Sequence, residues 1–213
     1  MILDIGRAGT VAVGEFAKDG RLIAYKANGP FPADLAGMAS QFSATVRMFL
    51  GTVAASFSHL TDLPLVPYQG FMYSGGDMSS VIRQDSWAIL KTAESDLRRP
   101  ADAAQRGLEE LLELSGVRFA GFYGVDGGEI AAKETIGFDR ETRETATQLI
   151  ASTTAALRGL ATAFSHLSKT SWVPLTSWLY AGGDWVIVAN PCCWILAEAG
   201  SSETDELYRA IMR

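Results

Sequence analysis

Few side chains in this chain have the type and spacing that chemistry requires. Its two histidines, His59 and His166, sit in identical Phe-Ser-His-Leu runs. A pair of imidazoles in matched places invites a shared metal ion. The competing reading puts each imidazole at the carboxy end of a long helix, where a cation and donor are favoured. Were two such helices antiparallel, their ends would lie about 40 Å apart at 1.5 Å per residue, too far for one ion. Asp77 and Asp184 could act as acids, but each follows Gly-Gly in a turn, where Asp commonly bonds the local backbone. Gly75-Gly76-Asp77 and Gly182-Gly183-Asp184 also lack the Lys-Ser/Thr and the helix start of a phosphate loop. Cys192 and Cys193 follow Pro191, and Asn190, Pro191 and Trp194 bring no positive charge to activate a thiolate. A redox role for this pair is the one enzymatic opening. No Ser/His/Asp or Cys/His set can be assembled from two helix-end histidines. The residues therefore assign no catalytic, metal or cofactor site, and predict a protein that is not an enzyme.

The positions of these residues are more informative than their chemistry. Phe57, Ser58, His59, Leu60, Val66, Pro67, Tyr73, Gly75, Gly76 and Asp77 recur as Phe164, Ser165, His166, Leu167, Val173, Pro174, Tyr180, Gly182, Gly183 and Asp184, at an unbroken offset of 107 positions. Gly14, Asp19-Gly20, Ile23, Lys26 and Trp87 return in the same register as Gly121, Asp126-Gly127, Ile130, Lys133 and Trp194. A constant offset over a whole half means equal element lengths, hence one module used twice. The expected domains are 1–97 and 98–213, joined near 95–105.

A hydrophobic share of 48% with 20% charged residues is globular rather than disordered. A net charge of −6 argues against nucleic acid, which needs clustered Lys and Arg. No uncharged apolar stretch reaches the roughly 20 residues of a membrane span. The amino terminus lacks a basic start followed by an apolar run, and the two cysteines are adjacent, so a cytoplasmic location is expected.

Periodicity supplies the elements. Asp102–Leu114 reads as a helix, capped by Asp102 and stopped at Ser115-Gly116, with a shorter counterpart at Met1–Arg7. Thr10–Phe16 and Leu22–Lys26, like Val117–Tyr123 and Glu129–Lys133, form hairpins around the turns Asp19-Gly20 and Asp126-Gly127. A long helical stripe runs from Pro32 to Leu60 and repeats in the second copy. Three strands follow in each copy, at Leu65–Ser74, Met78–Arg83 and Trp87–Thr92, then Trp172–Ala181, Trp185–Asn190 and Trp194–Ala199, with a closing helix at Ser202–Arg213. The fold predicted is α+β: in each copy a five-stranded antiparallel sheet with a long helix on one face.

Two surfaces stand out. The second face of the long helices carries small residues, Ala36, Ser40, Ser43, Ala44, Gly51, Ala54 and Ala55, then Ala151, Ser152, Ala155, Gly159 and Ala163, with Arg47 and Arg158 the only charges nearby. Small residues let backbones approach, so this face is expected to meet the other copy's helix; the alternative is a mildly hydrophobic solvent face. Phe71, Tyr73, Trp178, Tyr180 and Trp185 would either leave an aromatic interaction surface partly open or pack in the core.

The element order, together with Val11, Gly14, Glu15, Phe16, Asp19, Gly20, Tyr25, Lys26, Pro67, Gly70 and Ser74–Asp77, resembles the roadblock/dynein light chain superfamily, and within it a prokaryotic subgroup of unknown function. The second copy departs where Glu15 becomes Phe122, Gly70 becomes Ser177, and Asp85-Ser86 becomes Cys192-Cys193. The resemblance implies modules that pair through long helices and join sheet edges, here an internal pseudo-dimer. It also implies a non-enzymatic scaffold or regulator whose partner is a protein such as a small Ras-like GTPase, with further homodimerisation open. The alternative is a sensor that holds a small molecule between sheet and helix or in the inter-repeat groove.

Overall fold

The computed structural model describes residues 5–6, 8–94 and 108–200. The expected linker at 95–105, the Asp102 cap, most of the Met1–Arg7 counterpart and the helix at Ser202–Arg213 lie outside the described residues.

The first copy runs β1 (Thr10–Phe16), β2 (Leu22–Ala27), α1 (Ala33–Thr61), β3 (Tyr68–Gly75), β4 (Met78–Ile82) and β5 (Ser86–Lys91). The second repeats it as α2 (Leu108–Leu112), β6 (Val117–Tyr123), β7 (Glu129–Glu134), α3 (Arg140–Ser168), β8 (Leu175–Gly182), β9 (Trp185–Ala189) and β10 (Cys193–Glu198). The chain is α+β, and its ten strands form one antiparallel sheet in the order β2-β1-β5-β4-β3-β8-β9-β10-β6-β7. The two five-stranded units are thus halves of a single sheet. They join where β3 pairs with β8, placing Phe71 opposite Tyr180, Met72 opposite Leu179 and Tyr73 opposite Trp178.

Local chemistry accounts for the long helices. Pro32 precedes α1, its fixed φ of −62° suiting a helix entry. Asp139 caps α3, its carboxylate accepting from the Thr142 amide at 2.7 Å, and this bond holds its pKa below the usual range. Both helices end in a left-handed residue, Asp62 at φ 56° and Lys169 at φ 54°. The helices run antiparallel, since Phe42 early in α1 stacks on Phe164 late in α3 with ring centroids 4.7 Å apart.

Alternation along the strands splits the sheet into two faces. Phe16, Phe71, Tyr73, Trp87, Trp178, Tyr180 and Trp194 point to the face covered by α1 and α3. Leu179, Val186, Val188 and Ile195 point to the opposite face, where α2 brings Leu108 and Leu111.

Candidate functional site

The repeated stretch after each long helix builds the junction between copies. The Gly76 amide donates to the Pro174 carbonyl at 3.0 Å and the Asp77 amide to Ser171 at 3.0 Å. In return, Gly183 donates to Pro67 at 3.0 Å and Asp184 to Pro64 at 3.2 Å. Each copy's Gly-Gly-Asp turn is therefore gripped by the other copy's post-helix segment. Glycine is required by geometry. Gly76 and Gly183 adopt φ of 55° and 53°. A Cβ on Gly76 would also fall 2.6 Å from the Ser171 carbonyl oxygen, and one on Gly183 would fall on the Pro64 carbonyl. Sequence reading placed Gly75, Gly76, Asp77, Gly182, Gly183 and Asp184 in local turns; their grip on the other copy was hidden because backbone partners a hundred residues away leave no spacing signal.

The aromatic residues Phe71, Tyr73, Trp178, Tyr180 and Trp185 do not form an open surface. Their exposures are 2%, 4%, 1%, 2% and 9%, because α1 and α3 cover the face on which alternation places them. Their polar atoms are used inside. Tyr73 donates to the Trp172 carbonyl, and Trp178 Nε1 to Thr154 Oγ1 at 2.9 Å. Burial pushes the Tyr180 phenol up to about 12.

The small residues of the long helices have three destinations rather than one shared seam. Ala36, Ser40, Ser43 and Ala54 are buried. Ser40 accepts the Trp87 indole N–H at 2.8 Å, so it serves its own copy's sheet, while Ser43 and Ala54 share small cavities with Phe164 and Ile150 of the other helix. Ala44 and Ala151 receive the Asp-Gly hairpin turns: a Cβ on Gly20 or Gly127 would lie 3.2 Å from the alanine methyl. Within those turns, the Asp19 and Asp126 carboxylates accept from Arg21 and Gly128 amides, both at 3.0 Å. Ala55, Ser152, Ala155, Gly159 and Ala163 are exposed, and the positions where Gly51 and Gly159 would carry a Cβ have nothing within 4 Å. Close approach of glycine backbones does not hold the helices together. Large rings do.

What remains outward is the candidate site. On α1 it comprises Gln41, Thr45, Met48, Thr52, Ala55 and Ser56; on α3, Thr145, Gln148, Ser152, Ala155, Ala156, Gly159, Thr162 and Ala163. Met48 is 70% exposed and Leu167, at the end of α3, 60%. The single charge of this part of α1 is withdrawn from the face: Arg47 donates to the Gln84 carbonyl and lies 5.7 Å from the Phe16 ring centroid. Arg158 is the exposed charge within the α3 part. A solvent-facing helical surface is ordinarily rich in charge; this one is made of small, hydroxylic and amide side chains with Met48 and the single charge of Arg158.

The other candidates separate. His59 and His166 are exposed in the last turns of antiparallel helices. With Phe42 beside Phe164, the imidazoles stand on the order of 28 Å apart along the axes, and among the described residues no group of three or more His, Cys, Asp or Glu side chains could hold a metal ion. Cys192 is exposed and Cys193 buried. Their amides converge on the Asn190 carboxamide at 2.9 and 2.7 Å, and burial pushes the Cys193 thiol up to about 12, away from the thiolate. Between sheet and helices, two cavities of about 10 Å³ each offer room for about one water apiece. Ser80 Oγ, buried without a hydrogen-bond partner, lines one of them. No helix among the described residues is long and apolar enough to cross a membrane.

A family model matches the chain twice, over residues 5–103 and 107–213, and describes an uncharacterized conserved protein, DUF2173. No curated protein and no solved structure matches.

Proposed function

The chain belongs to the uncharacterized conserved family DUF2173, and on that premise we propose that it is a non-enzymatic scaffold or regulator: a roadblock-like pseudo-dimer that receives a protein partner on its paired long helices. A small Ras-like GTPase is the partner class this reading favours. The observation that carries it is the exposed face of α1 and α3, where Thr45, Met48, Thr52, Ala55, Ser152, Ala155 and Gly159 are uncharged and Arg158 is the one charge they surround. Interface cores are depleted in charge relative to the rest of a surface. The roadblock comparison is supported by the element order and by the joined edges β3 and β8. The version of the ligand-sensor alternative that seats its ligand between sheet and helices is disfavoured by the water-sized cavities there.

The test is retention of Ras-like GTPases from native lysate on the immobilised chain, compared with Met48→Glu and Ala155→Glu variants of unchanged melting temperature. Retention by the parent chain and loss in both variants supports the proposal. Absence of any such GTPase, or equal retention by the variants, removes it.

A further inference from the structure

The two small cavities between sheet and helices are related by the repeat, yet they are chemically unlike. The first is lined by Ser43, Ser80 and Trp87 of the first copy, with Phe164 and Trp172 of the second closing over it. The second is lined by Ile150, Ile187 and Trp178 of the second copy, with Leu50, Ala54 and Phe57 of the first closing over it. At the 107-residue offset, Ile150 and Ile187 stand in register with Ser43 and Ser80, and Phe57 with Phe164. Two hydroxyls thus occupy the places that two branched alkyl groups occupy in the other copy.

Volume explains only part of this exchange. Around the first cavity Phe42 stands in register with Leu149 and Trp172 with Leu65, so small residues at 43 and 80 offset the larger rings. Alanine would make the same room without burying a polar atom. Instead Ser43 is 3% and Ser80 6% exposed, and Ser80 Oγ has no hydrogen-bond partner within the protein. An unpaired buried hydroxyl carries a desolvation cost that alanine does not. The volume of about 10 Å³ admits one water and nothing larger. Two neutral hydroxyls cannot offset the desolvation of a cation, so water is the ligand that this wall suits.

We propose that the first cavity is a binding site for one water molecule, which donates to one serine Oγ and accepts from the other, and that the second cavity is dry. The water ties α1 to β4 where Phe42 stacks on Phe164 and Phe164 meets Trp172 edge-on, at centroid distances of 4.7 and 5.2 Å. Because rings from the second copy close over it, the bridge belongs to the seam between copies. At the equivalent place in the second copy, α3 and β9 present alkyl groups alone. The site is independent of any partner on the outer face of the helices.

A crystal structure of the full chain that resolves ordered water tests this. Density is expected for one water within hydrogen-bond distance of Ser43 Oγ and Ser80 Oγ, with none beside Ile150 and Ile187, and it should be lost in Ser80→Ala. The urea midpoints of Ser80→Ala and Ser43→Ala should both fall, because each change leaves the other hydroxyl without its bridge. Were Ser80 Oγ an orphan, deleting it would remove an uncompensated cost and the midpoint would rise. No density beside the serines, density in both cavities, or a Ser80→Ala midpoint no lower than the parent's would each overturn the proposal.

Discussion

The Tyr180 hydroxyl donates to the Leu65 carbonyl at 2.7 Å, joining residues from different copies inside the core. Its counterpart, Tyr73 to the Trp172 carbonyl, mirrors it. Around this pair of bonds the Gly-Gly-Asp turns dock reciprocally and β3 meets β8, so the copies share one hydrogen-bonded framework.

The first prediction tests that framework. Gly183→Ala forces an L side chain into positive φ, at about 1–2 kcal/mol, and drives its methyl onto the Pro64 carbonyl. A loss of at least about 2 kcal/mol is expected from urea denaturation, and Gly76→Ala should match it by symmetry. Either variant unfolding at the parent midpoint would show that the clamp is dispensable.

Gly51 and Gly159 should behave oppositely. Both lie inside long helices, with open space where a Cβ would stand. Replacing each with Ala removes backbone freedom from the unfolded chain and should stabilise by about 0.5–1 kcal/mol. A melting temperature that falls would mean these glycines serve a close contact after all.

These contrasts mark how far the sequence could be read. The strands and both long helices were legible because alternation, the Asp-Gly turns and the apolar stripe are local signals: Thr10–Phe16 and Val117–Tyr123 are found where expected. The constant offset implied two like units. Which side of a helix meets what is a tertiary fact, and small residues are ambiguous about it: Ser40 takes an indole, Ala44 a turn, and Ala155 water. The aromatic strand residues were left between two readings for a related reason. Alternation put Tyr73 and Trp178 on one face correctly, but could not say that this face lies beneath the helices.

The indole bonds give a third prediction. Trp87, Trp178 and Trp194 each donate to a helix hydroxyl, Ser40, Thr154 and Thr147, at 2.8, 2.9 and 3.2 Å. Ser40→Ala leaves a buried N–H unsatisfied and should cost about 1–3 kcal/mol, with a shift in tryptophan fluorescence. Ala36→Ser on the same helix should not rescue it, since its hydroxyl would stand a full turn away. An unchanged stability for Ser40→Ala would mean that water replaces the hydroxyl.

The last prediction concerns alkali. Burial raises the Cys193 thiol from 9.0 to about 12, and the Tyr123 and Tyr180 phenols from 10.0 to about 12. For an acid whose folded pKa lies above its unfolded value, the unfolded chain loses its proton first. The folded state therefore keeps its full advantage below the unfolded pKa and loses it as pH rises towards the folded one. Stability should be level up to about pH 8, then fall at up to about 1.4 kcal/mol per pH unit from Cys193 alone, and more steeply above pH 10 as Tyr123, Tyr180 and Tyr68, whose phenol burial also raises, join. Cys193→Ser should flatten the first part of that fall and leave the steeper part in place. Thiol titration at pH 8 offers a parallel reading: exposed Cys192 reacts in the native chain, and Cys193 only after unfolding. Two rapidly reacting thiols, or a denaturation midpoint indifferent to pH between 9 and 11, would contradict the burial of this side chain beneath α2.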